Sequence, residues 1–389
     1  MIQKKPLNVE VKGISFNNQG ACLMLFAIIE EFERRGVAAN FLIEYSGTSI
    51  KEFPHRLWRK ARYVRKGTNL LAPLSLIPSA LLKPFNLKKC IDVDVVLDVS
   101  GFSYGDQWNW RVARDRLSST IEEFKLRNVP VILLPQALGP FENVDGRAEF
   151  FKIAKHADLI FARDEQSLEY ASPLTPSEKL FLAPDFTPTV SYPSGTEFDQ
   201  FLNRACIVPN SKMLTKNTAS AAAYVKFLEH AIKRCSSMGL SPFILLHELK
   251  EDSSLIHDYI QSKQLDIEVV APADVRVCKA IISKARLLIC SRFHGVVSGL
   301  SLSIPTICAG WSHKYFALMQ YYRCEDFLVE TGDLTALDEK LTQLEQHENY
   351  AAHKQKLSEC AARHKHAIPP MWDRVFDVIA ETESCKNLV

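Results

Sequence analysis

The 389-residue chain lacks most of the signatures that assign a protein at sight. Its ten cysteines, at positions 22, 90, 206, 235, 278, 290, 308, 324, 360 and 385, never occur as C-x-x-C. That absence excludes the usual structural zinc sites and a thioredoxin-type redox pair. Several cysteines, such as Cys206, Cys290 and Cys308, lie inside apolar runs, where a thiol acts as a small buried hydrophobe, and a reducing cytoplasm fits them best. No signal-like apolar segment follows the N-terminal MIQKKPLNVEVKG, so the chain is expected to stay inside the cell. Excess charge is missing too: 47 Lys and Arg face 45 Asp and Glu, a formal +2, which argues against bulk nucleic-acid binding. There is no G-x-G-x-x-G. His247-Glu248 has no histidine at the fourth position, which removes the zincin pattern. The pair His364 and His366 sits in a polar tail and reads as solvated. No metal cluster is visible, and none is expected.

What the chain does have is alternation. Short apolar runs interleave with longer amphipathic segments from end to end, the pattern of strand and helix units around parallel sheets. A first series places strands at 7–11, 40–44, 93–99, 129–134, 158–162 and 179–182, with helices near 20–35, 111–127, 147–155 and 164–170. A second places strands at 205–208, 242–246, 267–270, 287–290, 306–308 and 326–329, with helices near 219–238, 253–263, 273–283, 295–302 and 314–321. TPTVSYPSGTEFDQ between them is rich in Pro, Ser and Gly, as a connection should be. The expected fold is α/β, two Rossmann-like domains facing a cleft: 1–190, a linker at 191–199, and 200–330. Residues 331–389 are expected to form helices that pack back on the first domain. Ligands of such sheets sit at the carboxyl ends of the strands.

Residues 51–90 break the regularity. They begin basic, with Lys51, Arg56, Arg59, Lys60, Arg62, Arg65 and Lys66, and continue as LLAPLSLIPSALL, whose thirteen residues and two prolines cannot span a bilayer. Two readings stand: a basic and apolar surface on an anionic membrane face or a lipid-linked substrate, or a solvated helix followed by a packed loop.

The chemistry is expected where strands end. CSRFHGVVSGLSLSIPTICAG, 290–310, puts Arg292 and His294 between a buried strand and the first turn of a helix. Free backbone N–H groups there attract anions, and an arginine adds a bidentate fork. The same field disfavours imidazolium, leaving His294 able to relay a proton. Gly295 permits close approach of a neighbour or a ligand. GWSHKY, 310–315, repeats the arrangement with His313 and Lys314. In the first series FNNQGAC offers Asn17 and Asn18, DVSGFSYGDQW offers Asp98 and Asp106, PQALGPF offers Gln136 and ARDEQS offers Arg163. For the two aspartates a loop cap competes with a role as proton acceptor. His247 ends a strand in ILLHELKED.

These stretches resemble the polysaccharide pyruvyl transferase family: NNQGA, PQALGPF, RDEQS at 163–167, PDF at 184–186, SRFHGVVSGLSLSIPTI at 291–307 and GWSHKY at 310–315. Ala21 stands where the family usually has an acidic residue, and Ser100-Gly101-Phe102 where it favours a glycine cluster. The resemblance implies a fold similar to glycosyltransferase type B and a co-substrate, phosphoenolpyruvate, with no cofactor. The pyruvyl unit is set as a cyclic ketal on a sugar of a surface polysaccharide, or on its lipid-linked precursor at the inner face of the membrane. On that basis His294, Asp98 and Asp106 are the catalytic candidates. Arg292, Lys314, His313, Gly295 and Arg163 are expected to bind the donor, and Asn17, Asn18, Gln136 and His247 the acceptor. A nucleotide-sugar glycosyltransferase of the same fold and a silent saccharide-binding homologue are the rivals. The helix at 295–302 lacks the ribose-binding glutamate common in the former. If Arg292 offers its fork to the donor, Arg292→Ala and His294→Ala both abolish transfer and keep the fold, which activity assays and thermal melts would check.

Overall fold

The computed structural model describes residues 5–44, 53, 55, 57–62, 64–65, 68–69, 71–214, 218–248, 252–253, 266–310 and 312–386. The chain forms two compact units. Residues up to Phe16, Met24–Asp185 and the stretch from Ala367 onward make one; Asn17–Leu23 and Phe186–His366 make the other.

The first unit holds strands β1 (Leu7–Lys12), β2 (Ala39–Ile43), β3 (Leu57–Lys60), the short antiparallel pair β4 (Val64–Arg65) and β5 (Thr68–Asn69), then β6 (Leu87–Lys88), β7 (Val95–Asp98), β8 (Val131–Gln136), β9 (Leu159–Ala162) and β10 (Leu180–Leu182). Eight of them join in one parallel sheet in the order β10-β9-β8-β7-β1-β2-β3-β6. Every residue of β1 is buried. A parallel strand is covered on both faces, so its sequence runs apolar where it is not paired charge.

The second unit holds β11 (Ala205–Val208), β12 (Phe243–Leu245), β13 (Glu268–Val270), β14 (Leu287–Cys290) and β15 (Thr306–Cys308), all parallel, in the order β13-β12-β11-β14-β15. Helices follow most of the central strands along the chain, among them α1 (Gln19–Arg34) after β1, α2 (Val275–Lys284) after β13, α3 (Phe293–Ser301) after β14 and α4 (His313–Tyr321) after β15. In each sheet the order reverses about its first strand, between β1 and β7 and between β11 and β14. Such a reversal opens a crevice at the carboxyl ends of the strands.

Lys279 on α2 fixes the chain's passage into the second unit. Its buried ammonium donates to the carbonyls of Thr187, Pro188 and Val190 at 3.3, 3.1 and 2.8 Å. The polar TPTVSY stretch thus belongs to the second unit from Phe186 on, where the composition alone places a boundary at 190. Helices Leu334–Glu345 and most of His347–Ala367 belong to the second unit as well. The last helix, Pro369–Lys386, belongs to the first, its Phe376 ring 4.8 Å from that of Phe32 and its Asp373 bonded to Arg35.

Several expectations are corrected. The segment 326–329 makes a short turn at Glu325–Phe327 and a single bridge from Leu328 to Cys308, not a strand. The helix expected at 111–127 breaks into Arg111–Ala113, a wider turn at Arg114–Ser118 and Ile121–Leu126. The helix expected at 253–263 falls almost wholly outside the described residues. Residues 51–90, read as a helix or loop, contribute β3 and β6 to the sheet. Eight cysteines are buried, and burial pushes the thiols of Cys22, Cys235, Cys290 and Cys324 up to about 12.

A buried charge cluster closes one end of β1. Glu10 accepts from Lys60, while Lys12 lies 3.1 Å from Glu10 and 3.0 Å from Glu44. Burial works against ionisation of Glu44, but Lys12 and then Lys60 outweigh it and hold the carboxyl down to about 2 from its ordinary 4.5. A carboxyl depressed on folding adds stability that is complete above its unfolded pKa and disappears as pH falls through the folded one. Glu44→Gln is therefore expected to flatten the stability-versus-pH curve between 4.5 and about 2. Denaturant titrations across that window check it, and an unchanged slope contradicts it.

Candidate functional site

The crevice of the second unit is built on β11 and β14. Past β14 the chain leaves as Ser291-Arg292, and Arg292, extended at φ −99°, ψ 124°, precedes the first turn of α3. The carbonyl of Ser291 is fixed by Asn210 Nδ2 at 2.8 Å and by the Tyr315 hydroxyl at 3.0 Å. Arg292 is 9% exposed and its guanidinium is already engaged. Nε donates to Asp252 at 3.1 Å, Nη1 to Glu248 at 2.6 Å, and Nη2 to Asp252 and, at 3.3 Å, to Ser211. Asp252, fully buried, also accepts from the backbone N–H groups of Ser211 and Glu248, both at 3.1 Å. The arginine expected to grip a donor instead clamps the loops after β11 and β12 to the strand that carries it. Its burial disfavours the charge, but Asp252 and then Glu248 raise its pKa.

His294 stands in the first turn of α3, its ring edge-on to Phe293 with centroids 5.4 Å apart. It meets the NNQGA turn. A Cβ at Gly20 would lie 2.3 Å from His294 Nδ1, so only glycine fits there. Asn18 holds that turn by accepting at Oδ1 from Gly20 N at 3.0 Å, capping α1. Buried Gln19 reaches Pro272 O at 3.0 Å, and its N–H donates to His247 O at 3.4 Å. His247 itself is buried. Burial first, then Arg292 and His294, push its pKa down to about 3 from 6.5, so it is neutral at physiological pH.

The start of α4 adds two cationic residues. Lys314 Nζ lies 5.1 Å from the centre of the Phe293 ring, and His313 is the helix's first residue. His294, Phe293 and Lys314 are thus adjacent in space. Gly295 also serves packing, since a Cβ there would stand 2.6 Å from Cys290 Sγ.

At the carboxyl ends of the first unit's sheet, Asp98 is fully buried and hydrogen-bonded through both oxygens. It accepts from Tyr104 OH at 2.5 Å and from Ser100 N at 2.8 Å. Burial, then Asp98, push the Tyr104 hydroxyl well above its ordinary value. Asp106 accepts from the N–H groups of Glu142 and Asn143 at 2.7 and 3.2 Å, the loop-capping alternative. Arg163 pairs with Asp185 at 3.3 Å and donates to Gly101 O, which joins RDEQS to PDF. The hydrogen bonds of these three side chains thus go to Tyr104, to Asp185 and to loop backbone. Gln136 at the end of β8 differs. It is fully buried, and among the described residues neither its amide nitrogen nor its oxygen has a hydrogen-bond partner. An unsatisfied buried amide is costly, and it marks a place where a polar guest would be stabilised. Among the described residues no group of three metal-ligating side chains occurs.

A family model described as polysaccharide pyruvyl transferase matches residues 18–313. The chain belongs to the polysaccharide pyruvyl transferase family. Curated proteins yield no match. Among solved structures, this pyruvyl transferase family member is similar to Anabaena HepE in complex with UDP and glucose, at 12% identity over 97% of this chain and 100% of that one, TM-score 0.61. It is similar as well to UDP-GlcNAc 2-epimerase from Neisseria meningitidis bound to UDP-GlcNAc, at 13% identity over 96% and 99%, TM-score 0.57. The likeness shows the fold class, two Rossmann-like α/β domains of the glycosyltransferase type B kind.

Glu248, Asp252, Asp185 and Lys279 are the site and frame residues that sequence inspection missed. PDF and ILLHELKED carried the signal for three of them, since an acidic residue just past a strand is the natural partner of an arginine in the same position. Removing Arg292 strands two buried carboxylates, a loss of about 3–5 kcal/mol. Arg292→Ala is therefore expected to destabilise the second unit, contrary to the fold-neutral outcome expected of a donor ligand. Denaturant unfolding measures it, and a loss below about 1 kcal/mol would contradict the clamp.

Proposed function

We propose that the chain transfers the pyruvyl group of phosphoenolpyruvate to a sugar of a surface polysaccharide or its lipid-linked precursor, closing a cyclic ketal and releasing phosphate. The observation that carries the reading is the meeting of Gly20 with His294, which joins two of the stretches shared with the family. His294 delivers a proton to the methylene carbon. A sugar hydroxyl oxygen bonds to the neighbouring carbon, the bond from that carbon to the phosphate oxygen breaks, and a second hydroxyl closes the ring. The two hydroxyl protons balance the new methyl group and the hydrogen phosphate. Phosphate and carboxylate are met by Lys314, by His313 and by the backbone N–H groups at the starts of α3 and α4, where the helix dipoles favour negative charge. Arg292 positions this loop through Glu248 and Asp252 and does not itself touch the donor. Asn17, exposed on its turn, and neutral His247 are assigned to sugar hydroxyls.

A positioned proton donor contributes about 10²–10⁴-fold. His294→Gln is expected to lower kcat by that factor with unfolding unchanged, and Lys314→Ala to raise KM for phosphoenolpyruvate more than it lowers kcat. The assay follows phosphate release and pyruvate on the glycan. UDP release from a UDP-sugar with no phosphate from phosphoenolpyruvate would replace this reading with glycosyl transfer, and saccharide binding without turnover would replace it with a silent homologue.

A further inference from the structure

Residues 53–91 contain nine Lys and Arg and no Asp or Glu. Two of the nine are absorbed by the sheet: Lys60 is buried against Glu10, and Arg62 approaches Glu44 at 3.8 Å. Others remain at the surface, beside apolar side chains that the fold leaves uncovered. The helical turn Ser79–Leu82 and the turn Lys83–Phe85 that follows it pack against the edge strand β6. Leu82 faces inward, 3% exposed, whereas Leu81 and Phe85, four residues apart and so on one side, are 62% and 72% exposed. Leu76 on the preceding turn is 87% exposed. Lys89 reaches back to that turn, donating to Ser75 O at 2.9 Å. Beneath the crest is a cavity of about 410 Å³ lined by Asn40, Trp58, Ser79, Lys83 and Lys88, with Lys88 Nζ 4.7 Å from the centre of the Trp58 ring. Among the described residues Lys83, Lys88 and Lys89 have no ion pair.

Large apolar side chains left in water beside unneutralised lysines suit an interface that is greasy inside and negative outside. A protein partner or a second copy would satisfy the leucines, yet a second copy brings the same uncompensated positive charge. We propose that this face docks on an anionic phospholipid bilayer. Leu76, Leu81 and Phe85 enter the boundary between headgroups and acyl chains, and Lys83 and Lys88 take a lipid phosphate in the cavity. The apolar and the basic contribution are each too weak alone, and together they give reversible attachment. The proposal is independent of the reaction performed by the second unit.

The test is flotation of the full chain with vesicles of phosphatidylglycerol and phosphatidylcholine, against phosphatidylcholine alone, at rising salt. Binding is expected only with phosphatidylglycerol and is expected to fall with salt. Leu81→Ser with Phe85→Ser should weaken it roughly tenfold, and Lys83→Gln or Lys88→Gln by roughly fivefold each. Thermal unfolding confirms that each variant is folded. The proposal is overturned if the unaltered chain ignores phosphatidylglycerol vesicles, or if folded variants bind as well as it does. It is overturned equally if sedimentation shows a dimer that the Leu81 and Phe85 changes dissociate, since the face then joins two copies.

Discussion

A guanidinium locked between two carboxylates governs the second unit. Arg292 meets Asp252 through two nitrogens and Glu248 through a third, in a setting where an unpaired charge of either sign would be intolerable. Through those contacts three loops at the strand ends share one geometry, and the first turn of α3, with His294 in it, inherits it. The arginine therefore shapes this loop from behind. In the proposed reaction the negative donor is met by the backbone of two helix starts together with Lys314.

The first unit uses the same sheet plan differently. Its strand ends are crowded with paired polar groups, Glu10 with Lys12 and Lys60 and Arg163 with Asp185 as ion pairs, and Asp98 with the Tyr104 hydroxyl as a hydrogen bond. Such pairing makes the loops stiff, and it leaves few groups to do chemistry. Gln136 stands out against that background because its polar atoms are buried and unmatched. A neutral amide suits hydroxyl groups, which ask for hydrogen bonds and carry no charge to neutralise, whereas the second unit's helix starts suit an anion.

Much of the architecture was legible in the sequence because parallel strands buried on both faces must be apolar runs. VVLD, VILLPQ, LIFA, ACIV and LLIC announce themselves. LWRK did not, since Lys60 is a buried strand residue only because Glu10 is fifty positions away, and no local pattern reports such a partner. The place of the site was readable for the same reason that its contents were not. A residue at a strand's carboxyl end is easily located, but whether its side chain meets a ligand or a neighbour depends on contacts across the sequence. Arg292 is an example: its partners Glu248 and Asp252 lie forty or more positions away, and no local pattern reports them. Small residues mark such contacts without naming the partner: Gly295 makes room for a sulfur atom and Gly20 for an imidazole.

The buried cysteines carry a consequence of another kind. Because the attacking species is the thiolate, burial that raises a thiol's pKa this far leaves almost none of the reactive form at neutral pH. Oxidants and alkylating reagents should therefore pass over Cys235 and Cys290 while the unit stays closed. The moment it opens, those sulfurs recover ordinary reactivity, so the chain carries its own built-in chemical clock for unfolding, one that needs no label to be introduced.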